Sequence, residues 1–138
     1  MNGMRTPIGK IEKRSGTDVV RRKASRLVLG LGESGLAFAV EKHFRNLGWE
    51  VVMTATSEEA GRIAHREGAN AMVIVIGDLT ESGLLTCAKL SFTRPNARVL
   101  LLGPEDAKLA RHARYAGAAG YLPEGCGVSA IVRAVLGN

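Results

Sequence analysis

The sequence predicts a single α/β domain built on a doubly wound parallel sheet of five strands. The chain has 138 residues, 46% of them apolar and 23% charged, which is the size and composition of one soluble globular domain. After residue 26, short apolar runs alternate five times with longer segments of helical period, a pattern typical of consecutive strand–helix units. Such units join by right-handed crossovers and cover both faces of a parallel sheet.

The apolar runs are the predicted strands. They lie at residues 27–31, 51–54, 71–76, 98–102 and 121–122. The longest run, residues 71–76, has six residues, whereas a membrane-spanning helix needs about 20. The pattern therefore predicts a soluble protein without a transmembrane segment.

The segments between the strands are the predicted helices. In the first, apolar residues recur every three or four positions and Gly48 closes the helix; these residues are Leu36, Val40, Phe44 and Leu47. The second covers residues 57–67, with Ser57 as its N-cap. The third lies near residues 83–92 and the fourth at 107–116. The last has the helical stripe Val128, Ile131, Val132, Val135 and Leu136.

Charge divides the chain in two. Residues 1–26 hold eight Lys or Arg and two acidic residues, a net charge of +6, whereas residues 27–138 hold eleven of each sign. We expect residues 1–26 to form a flexible basic arm ahead of a folded domain at 27–138. Such an arm attracts nucleic acid or an acidic protein; a solubilising leader is the alternative.

Cysteine usage and the first residues indicate the compartment. Cys87 and Cys126 lie 39 positions apart with no CxxC or Cys/His cluster, so we expect reduced thiols and no structural metal. No secretory signal is recognisable near the N-terminus. The sequence therefore predicts a cytoplasmic protein.

A glycine motif follows the first predicted strand. Gly30, Gly32 and Gly35 fit G-x-G-x-x-G, with Ser34 inside it. This is the pattern of a loop that receives a pyrophosphate at a helix N-terminus. The acidic residue expected at the end of the second strand is missing from residues 53–56. Two interpretations stay open: a nucleotide or small-ligand sensor, and a tight turn without a ligand.

The second half of the chain resembles a known family. The segment AGAAGYL, residues 116–122, is similar to the turn into the fifth strand of bacterial response-regulator receiver domains, and LGWEVVMTATSEEA resembles their second strand and helix. The resemblance covers the folded part of the chain. It implies a flavodoxin-like fold with strand order 2-1-3-4-5 and a role in signal transduction or transcription regulation.

The residues of receiver chemistry are missing or displaced. Where the family has an acidic pair, this chain has only Glu33, and the phospho-acceptor position falls on Val75, with Asp78 three residues later. Gly103 replaces a threonine or serine, and Glu124 replaces the lysine. The resemblance therefore implies a degenerate receiver, which is not an enzyme and needs no cofactor. An unusual phospho-acceptor at Asp78, with Mg²⁺ held by Glu33, is the alternative.

The family resemblance also implies an interaction surface. In receiver domains, the face made by the fourth helix, fifth strand and fifth helix contacts partners. Here that face would comprise Arg111, Arg114, Tyr115, Ala118, Tyr121 and Arg133. Tyr121 matches the aromatic residue that swings during switching. We expect a homodimer or a complex with another signalling protein.

Overall fold

The computed structural model describes residues 24–77 and 81–137. Strands and helices alternate along them in the order β1 (Arg26–Gly30), α1 (Gly35–Asn46), β2 (Glu50–Met53), α2 (Ser57–Glu67), β3 (Ala71–Val75), α3 (Gly83–Thr93), β4 (Arg98–Gly103), α4 (Ala107–Tyr115), β5 (Gly120–Pro123) and α5 (Val128–Leu136). The basic arm, apart from its last three residues, and Asp78 lie outside the described residues.

The strands form one parallel sheet in the predicted order, β2-β1-β3-β4-β5. Alternate residues of each strand point to opposite faces, so Leu27 and Leu29 pack with α1 and α5, whereas Val28 packs against the helices of the other face. Those helices are α2, α3 and α4. Both faces are therefore covered, and the predicted doubly wound α/β fold is confirmed.

The boundary of the first strand differs by one residue from the prediction. Arg26, assigned from the sequence to the end of the basic arm, is the first residue of β1. Its backbone N–H donates to Asn70 Oδ1 at 2.7 Å, and its guanidinium pairs with Glu50 and with Glu67 at 3.5 Å. These carboxylates hold Arg26 in the sheet, whereas its charge alone groups it with the basic residues of the arm.

Two details of the predicted helices are wrong. Thr56, and not Ser57, caps α2: its Oγ1 accepts from the Glu59 N–H at 3.1 Å. Ser57 is already inside the helix, buried, and donates to the carbonyl oxygen of Val75 at 3.1 Å. Leu47 follows α1 and is 52% exposed, because the helix has ended before its side chain can face the core.

Two further observations bear on the class of protein. Within the described residues, none of the helices has the length and apolarity needed to cross a lipid bilayer. Cys87 and Cys126 are free thiols, as predicted, and burial raises the pKa of both.

Candidate functional site at the carboxyl edge of the sheet

All five strands end at one edge of the sheet, where doubly wound proteins bind their ligands. The residues that close the strands there are Gly30, Met53, Val75, Gly103 and Pro123. None of these side chains carries a charge or a hydroxyl group. Any functional side chain at this edge must therefore belong to the loops that follow the strands.

The end of β3 packs against the start of α3. Beyond Val75, the backbone N–H of Ile76 donates to the Leu102 carbonyl at 2.8 Å, and the N–H of Gly83 donates to the Ile76 carbonyl at 2.9 Å. A Cβ atom at Gly83 would lie 2.9 Å from the Ile76 Cα. The first turn of α3 therefore lies directly on the strand end, and only glycine fits at position 83.

The ends of β4 and β5 meet at Gly103. Tyr121 Oη donates to the Pro104 carbonyl at 2.5 Å, and the N–H of Glu124 donates to the Gly103 carbonyl at 3.0 Å. A Cβ atom at Gly103 would lie 2.6 Å from Ile76 Cγ2 and closer still to Tyr121 Oη. The tyrosine ring thus occupies the space that a side chain at position 103 would need.

The electrostatics of this corner are acidic. Burial raises the pKa of Tyr121, and the negative charges of Asp106 and Glu124 raise it further. The phenol is therefore held in its neutral form, able to donate its hydrogen bond to Pro104. Glu124 is therefore close enough to Tyr121 for its negative charge to act on the phenol.

The described residues do not fit a divalent cation. Glu33 is exposed in the loop after β1, and residues 24–77 and 81–137 contain no cluster of three or more His, Cys, Asp or Glu side chains that could hold a metal ion. Hard cations such as Mg²⁺ need several oxygen ligands in close geometry.

Comparison with known proteins decides the fold family. No family model matches the sequence, and no curated protein is significantly similar to it. A response regulator protein from Burkholderia pseudomallei, crystallised with a phosphorylated aspartic acid, calcium ion and citrate, is 26% identical, with a TM-score of 0.67 over 82% of this chain. A response regulator receiver domain protein (CheY-like) from Methanospirillum hungatei JF-1 gives a TM-score of 0.75 at 16% identity, covering 83% of this chain and 93% of its own. This chain is a receiver domain by fold.

Two facts define the extent of that likeness. The chain spans 66% of the length of the Burkholderia pseudomallei structure. A DNA-binding response regulator of the LuxR family from Staphylococcus aureus is 15% identical, with a TM-score of 0.71, and is covered over 97% of its own chain. The receiver resemblance predicted from the sequence is confirmed at the level of the fold.

The residues of the glycine loop after β1 have structural roles. A Cβ atom at Gly30 would lie 2.9 Å from both Ala60 Cβ and Ile74 Cγ2, and Gly32 has a φ of +65°, a conformation that favours glycine. Ser34 caps α1, its Oγ accepting from the Ala37 N–H at 3.1 Å. Gly35 has open space around it. Packing, turn geometry and capping account for Gly30, Gly32 and Ser34 without a ligand.

A groove of about 390 Å³ lies between α2 and α3. At its rim, the carboxylate of Glu81 accepts from Lys89 Nζ at 2.7 Å and from the buried hydroxyl of Thr86. These hydrogen bonds, that of Lys89 being the larger cause, lower the pKa of Glu81. Sequence reasoning missed this cluster because its pairs are not at the usual helical spacing: Glu81 and Lys89 are eight residues apart, and Glu81 and Thr86 are five apart. A single acidic residue in a loop does not indicate which side chains it contacts.

The predicted interaction residues are spread over two faces of the sheet. Arg114, Ala118 and Tyr121 line one cavity of about 190 Å³ between α4 and β5. Arg111 and Tyr115 are exposed on α4, on the same side of the sheet. Arg133 is exposed on α5, which packs against the opposite face. The three histidines lie exposed on helices, His43 on α1, His65 on α2 and His112 on α4.

Proposed function

We propose that this receiver domain is a signalling module that works without phosphotransfer. It acts by binding another signalling protein or a second copy of itself, in bacterial signal transduction or transcription regulation in the cytoplasm. The face made by α4, β5 and α5 is the contact surface. The arrangement of Tyr121 over Gly103, beside Glu124, is the observation that carries the proposal.

Electrostatics support the absence of phosphotransfer. A phosphoryl group on a side chain carries nearly two negative charges at neutral pH. At this edge it would add to the negative charges of Asp106 and Glu124, which already act on Tyr121, and the residue in register with the end of β4 is Pro123, not a cation. None of the described residues that end the five strands carries a cation to stabilise the added charge, which makes transfer to this cleft unfavourable.

Packing supports the same conclusion. The hydroxyl group that receivers carry at the end of β4 has no room here, since Tyr121 Oη and Ile76 Cγ2 both lie within contact of a Cβ atom at position 103. The Tyr121 hydroxyl group also donates a hydrogen bond to the Pro104 carbonyl. Tyr121 is thus held in place by the β4–α4 loop, in a position that does not depend on a phosphoryl group.

A phosphorylation assay tests the first half of the proposal. The full-length chain is incubated with acetyl phosphate and Mg²⁺, and in parallel with beryllofluoride and Mg²⁺. We expect an unchanged intact mass, unchanged fluorescence of Trp49 and an unchanged oligomeric state. The Asp78→Asn variant is the matched control. A phosphorylated species in the parent chain that disappears in this variant would make Asp78 the acceptor and overturn the proposal.

Sedimentation tests the interaction surface. Arg114 lines the cavity between α4 and β5, whereas Arg66 is exposed on α2 on the far side of the same sheet face. We expect a dimer that Arg114→Glu weakens and Arg66→Glu leaves intact, because reversing a charge inside an interface is costly and doing so elsewhere is not. A monomer, or equal effects of the two substitutions, would exclude a homodimer through this surface.

A further inference from the structure

The exposed side of α3 carries two large apolar side chains. Leu85 and Phe92 are two helical turns apart and so share one stripe; Leu85 is 50% exposed and Phe92 is 88% exposed. The one charged residue of the helix, Lys89, is exposed and bound to Glu81 on the α2 side. Two large apolar side chains on the outer side of a helix offer surface to a partner.

The C-terminal end of α4 adjoins this stripe. Cys87 Sγ lies 3.5 Å from the Ala116 carbonyl, and Ser91 Oγ donates to the Gly117 carbonyl at 3.4 Å. Tyr115, the residue before Ala116, is 86% exposed. Phe92 follows Ser91 and Tyr115 precedes Ala116, so both exposed rings belong to the segments where α3 meets the end of α4.

The outer side of α4 supplies positive charge. Lys108, Arg111 and Tyr115 follow one another at helical spacing and are all exposed. In the part of the chain that the structure describes, ion pairs hold Arg26, Arg45, Arg62, Arg66 and Lys89, but not Lys108 or Arg111. Arg111 lies one helical turn from the exposed Tyr115, and none of the described carboxylates pairs with Lys108 or Arg111.

We infer that Leu85, Phe92, Lys108, Arg111 and Tyr115 form a docking surface, the α3–α4 face, for an acidic protein segment with apolar anchors. Phenylalanine, tyrosine and arginine are the residues that concentrate binding energy in protein interfaces. The apolar anchors of the partner would cover Leu85 and Phe92, and its carboxylates would pair with Lys108 and Arg111. This surface lies outside the cavity between α4 and β5, although it shares Arg111 and Tyr115 with the proposed contact face. Leu85, Phe92 and Lys108 belong to it alone, so substitutions at these positions separate the inference from the proposed dimer.

Charge argues against a second copy of this chain as the occupant. In a twofold interface the same patch meets itself, so Lys108 and Arg111 of both copies would lie in one interface. Like charges brought together at an interface oppose binding. An acidic partner removes that repulsion and adds steering of the encounter.

Binding of two synthetic peptides to the full-length chain tests the inference. The first is helical, with leucines along one face and glutamates elsewhere, and its twin has lysine at each glutamate position. We expect the glutamate peptide to bind, more weakly at high salt, and to shift the amide signals of residues 85–92 and 108–115 in ¹⁵N spectra. Equal binding of the lysine twin, no binding at millimolar peptide, or shifts confined to other helices would overturn the inference.

Paired variants show which side chains contribute to peptide binding. We expect Phe92→Ser and Lys108→Glu each to weaken binding of the glutamate peptide about tenfold or more. The matched controls are Phe38→Ser and Lys42→Glu on α1, both exposed and on the opposite face of the sheet, and these should leave binding unchanged. Equal losses in the two pairs would contradict a localised surface.

Two competing occupants have their own readouts. Tighter binding of a thymidine oligonucleotide than of the glutamate peptide, lost in Phe92→Ser, would assign the surface to single-stranded nucleic acid and overturn the inference. A dimer in sedimentation that Phe92→Ser dissociates and Arg114→Glu leaves intact would assign it to a second copy. Loss of the dimer in Arg114→Glu alone concerns the proposed function and leaves the α3–α4 face standing.

Discussion

Tyr121 and Gly103 are complementary: the ring of one fills the space left by the missing side chain of the other. The contact joins β5 to β4 at the carboxyl edge and is fixed by the hydrogen bond from Tyr121 to the Pro104 carbonyl. A glycine in a strand often marks such a close approach. Glycine at position 103 and the position of the Tyr121 side chain therefore depend on each other.

Restoring a hydroxyl side chain at this position should destabilise the fold. We expect Gly103→Thr to lower the free energy of unfolding by about 1–3 kcal/mol, the usual cost of overpacking a core. Urea denaturation followed by Trp49 fluorescence measures it. The control is Gly125→Thr, where an added Cβ atom meets nothing within 4 Å. Adding Tyr121→Ala to Gly103→Thr should recover part of the loss, and strictly additive effects would contradict the contact.

The phenol of Tyr121 should ionise only at high pH. Tyr115→Phe leaves Tyr121 as the only tyrosine, so tyrosinate absorbance then reports on it alone. Because its folded-state pKa is raised, we expect a midpoint above about 10, the ordinary value. The stabilisation linked to the neutral phenol is complete below the unfolded-state pKa and is lost as pH rises through the folded-state pKa. A midpoint at or below about 10 would contradict the geometry.

Glu81 should contribute to stability at neutral pH and not in acid. Its folded-state pKa is lowered, so its contribution is present above the unfolded-state value of about 4.3 and is lost as pH falls through the folded-state pKa. The Glu81 side chain is 11% exposed, and we expect Glu81→Gln to cost about 1 kcal/mol at pH 7.

The control for Glu81 is Glu58→Gln, which breaks an exposed i,i+4 pair with Arg62 at 3.6 Å. Such a pair contributes at most a few tenths of a kcal/mol. Urea denaturation of both variants across the acidic range makes the comparison. A loss in Glu81→Gln that is the same at all pH values would show that the carboxylate charge is not the cause.

The glycine loop should respond to substitution as a turn does. Gly32 has a positive φ, whereas Gly35 does not and is surrounded by open space. We expect Gly32→Ala to lower the free energy of unfolding by about 1 kcal/mol and Gly35→Ala to leave it unchanged or slightly raised. Thermal denaturation of the two variants checks this. Similar losses of stability at both positions would show that backbone conformation does not explain the need for glycine in this loop.

The fold was predictable because it depends on patterns that are local in sequence. The apolar runs that became β1, β3 and β4, and the stripe of α5 through Ile131 and Val135, are recognisable within a few residues of chain. Hydrophobic periodicity of this kind determines which faces are buried, and the order of the sheet then followed from the family resemblance.

The details of the site depend on contacts between residues far apart in sequence. Thr56 and Ser57 are both good capping residues, and only the contact of Ser57 with Val75, 18 residues away, decides between them. The need for glycine at position 103 comes from Tyr121, on another strand. Sequence reasoning predicted departures from receiver chemistry, but it could not show that the Tyr121 side chain fills the space at position 103.

The attachment of β1 has a practical consequence. Arg26 is bound to Glu50 and Glu67 at the amino edge of the sheet, and Tyr121 meets Gly103 at the other edge, about one strand length or 17 Å away. A fluorescent protein or surface tether fused ahead of residue 24 would therefore project away from the corner at Pro104. A domain immobilised through such a fusion would keep the corner at Pro104 facing the solution, and binding there could be measured on a biosensor surface.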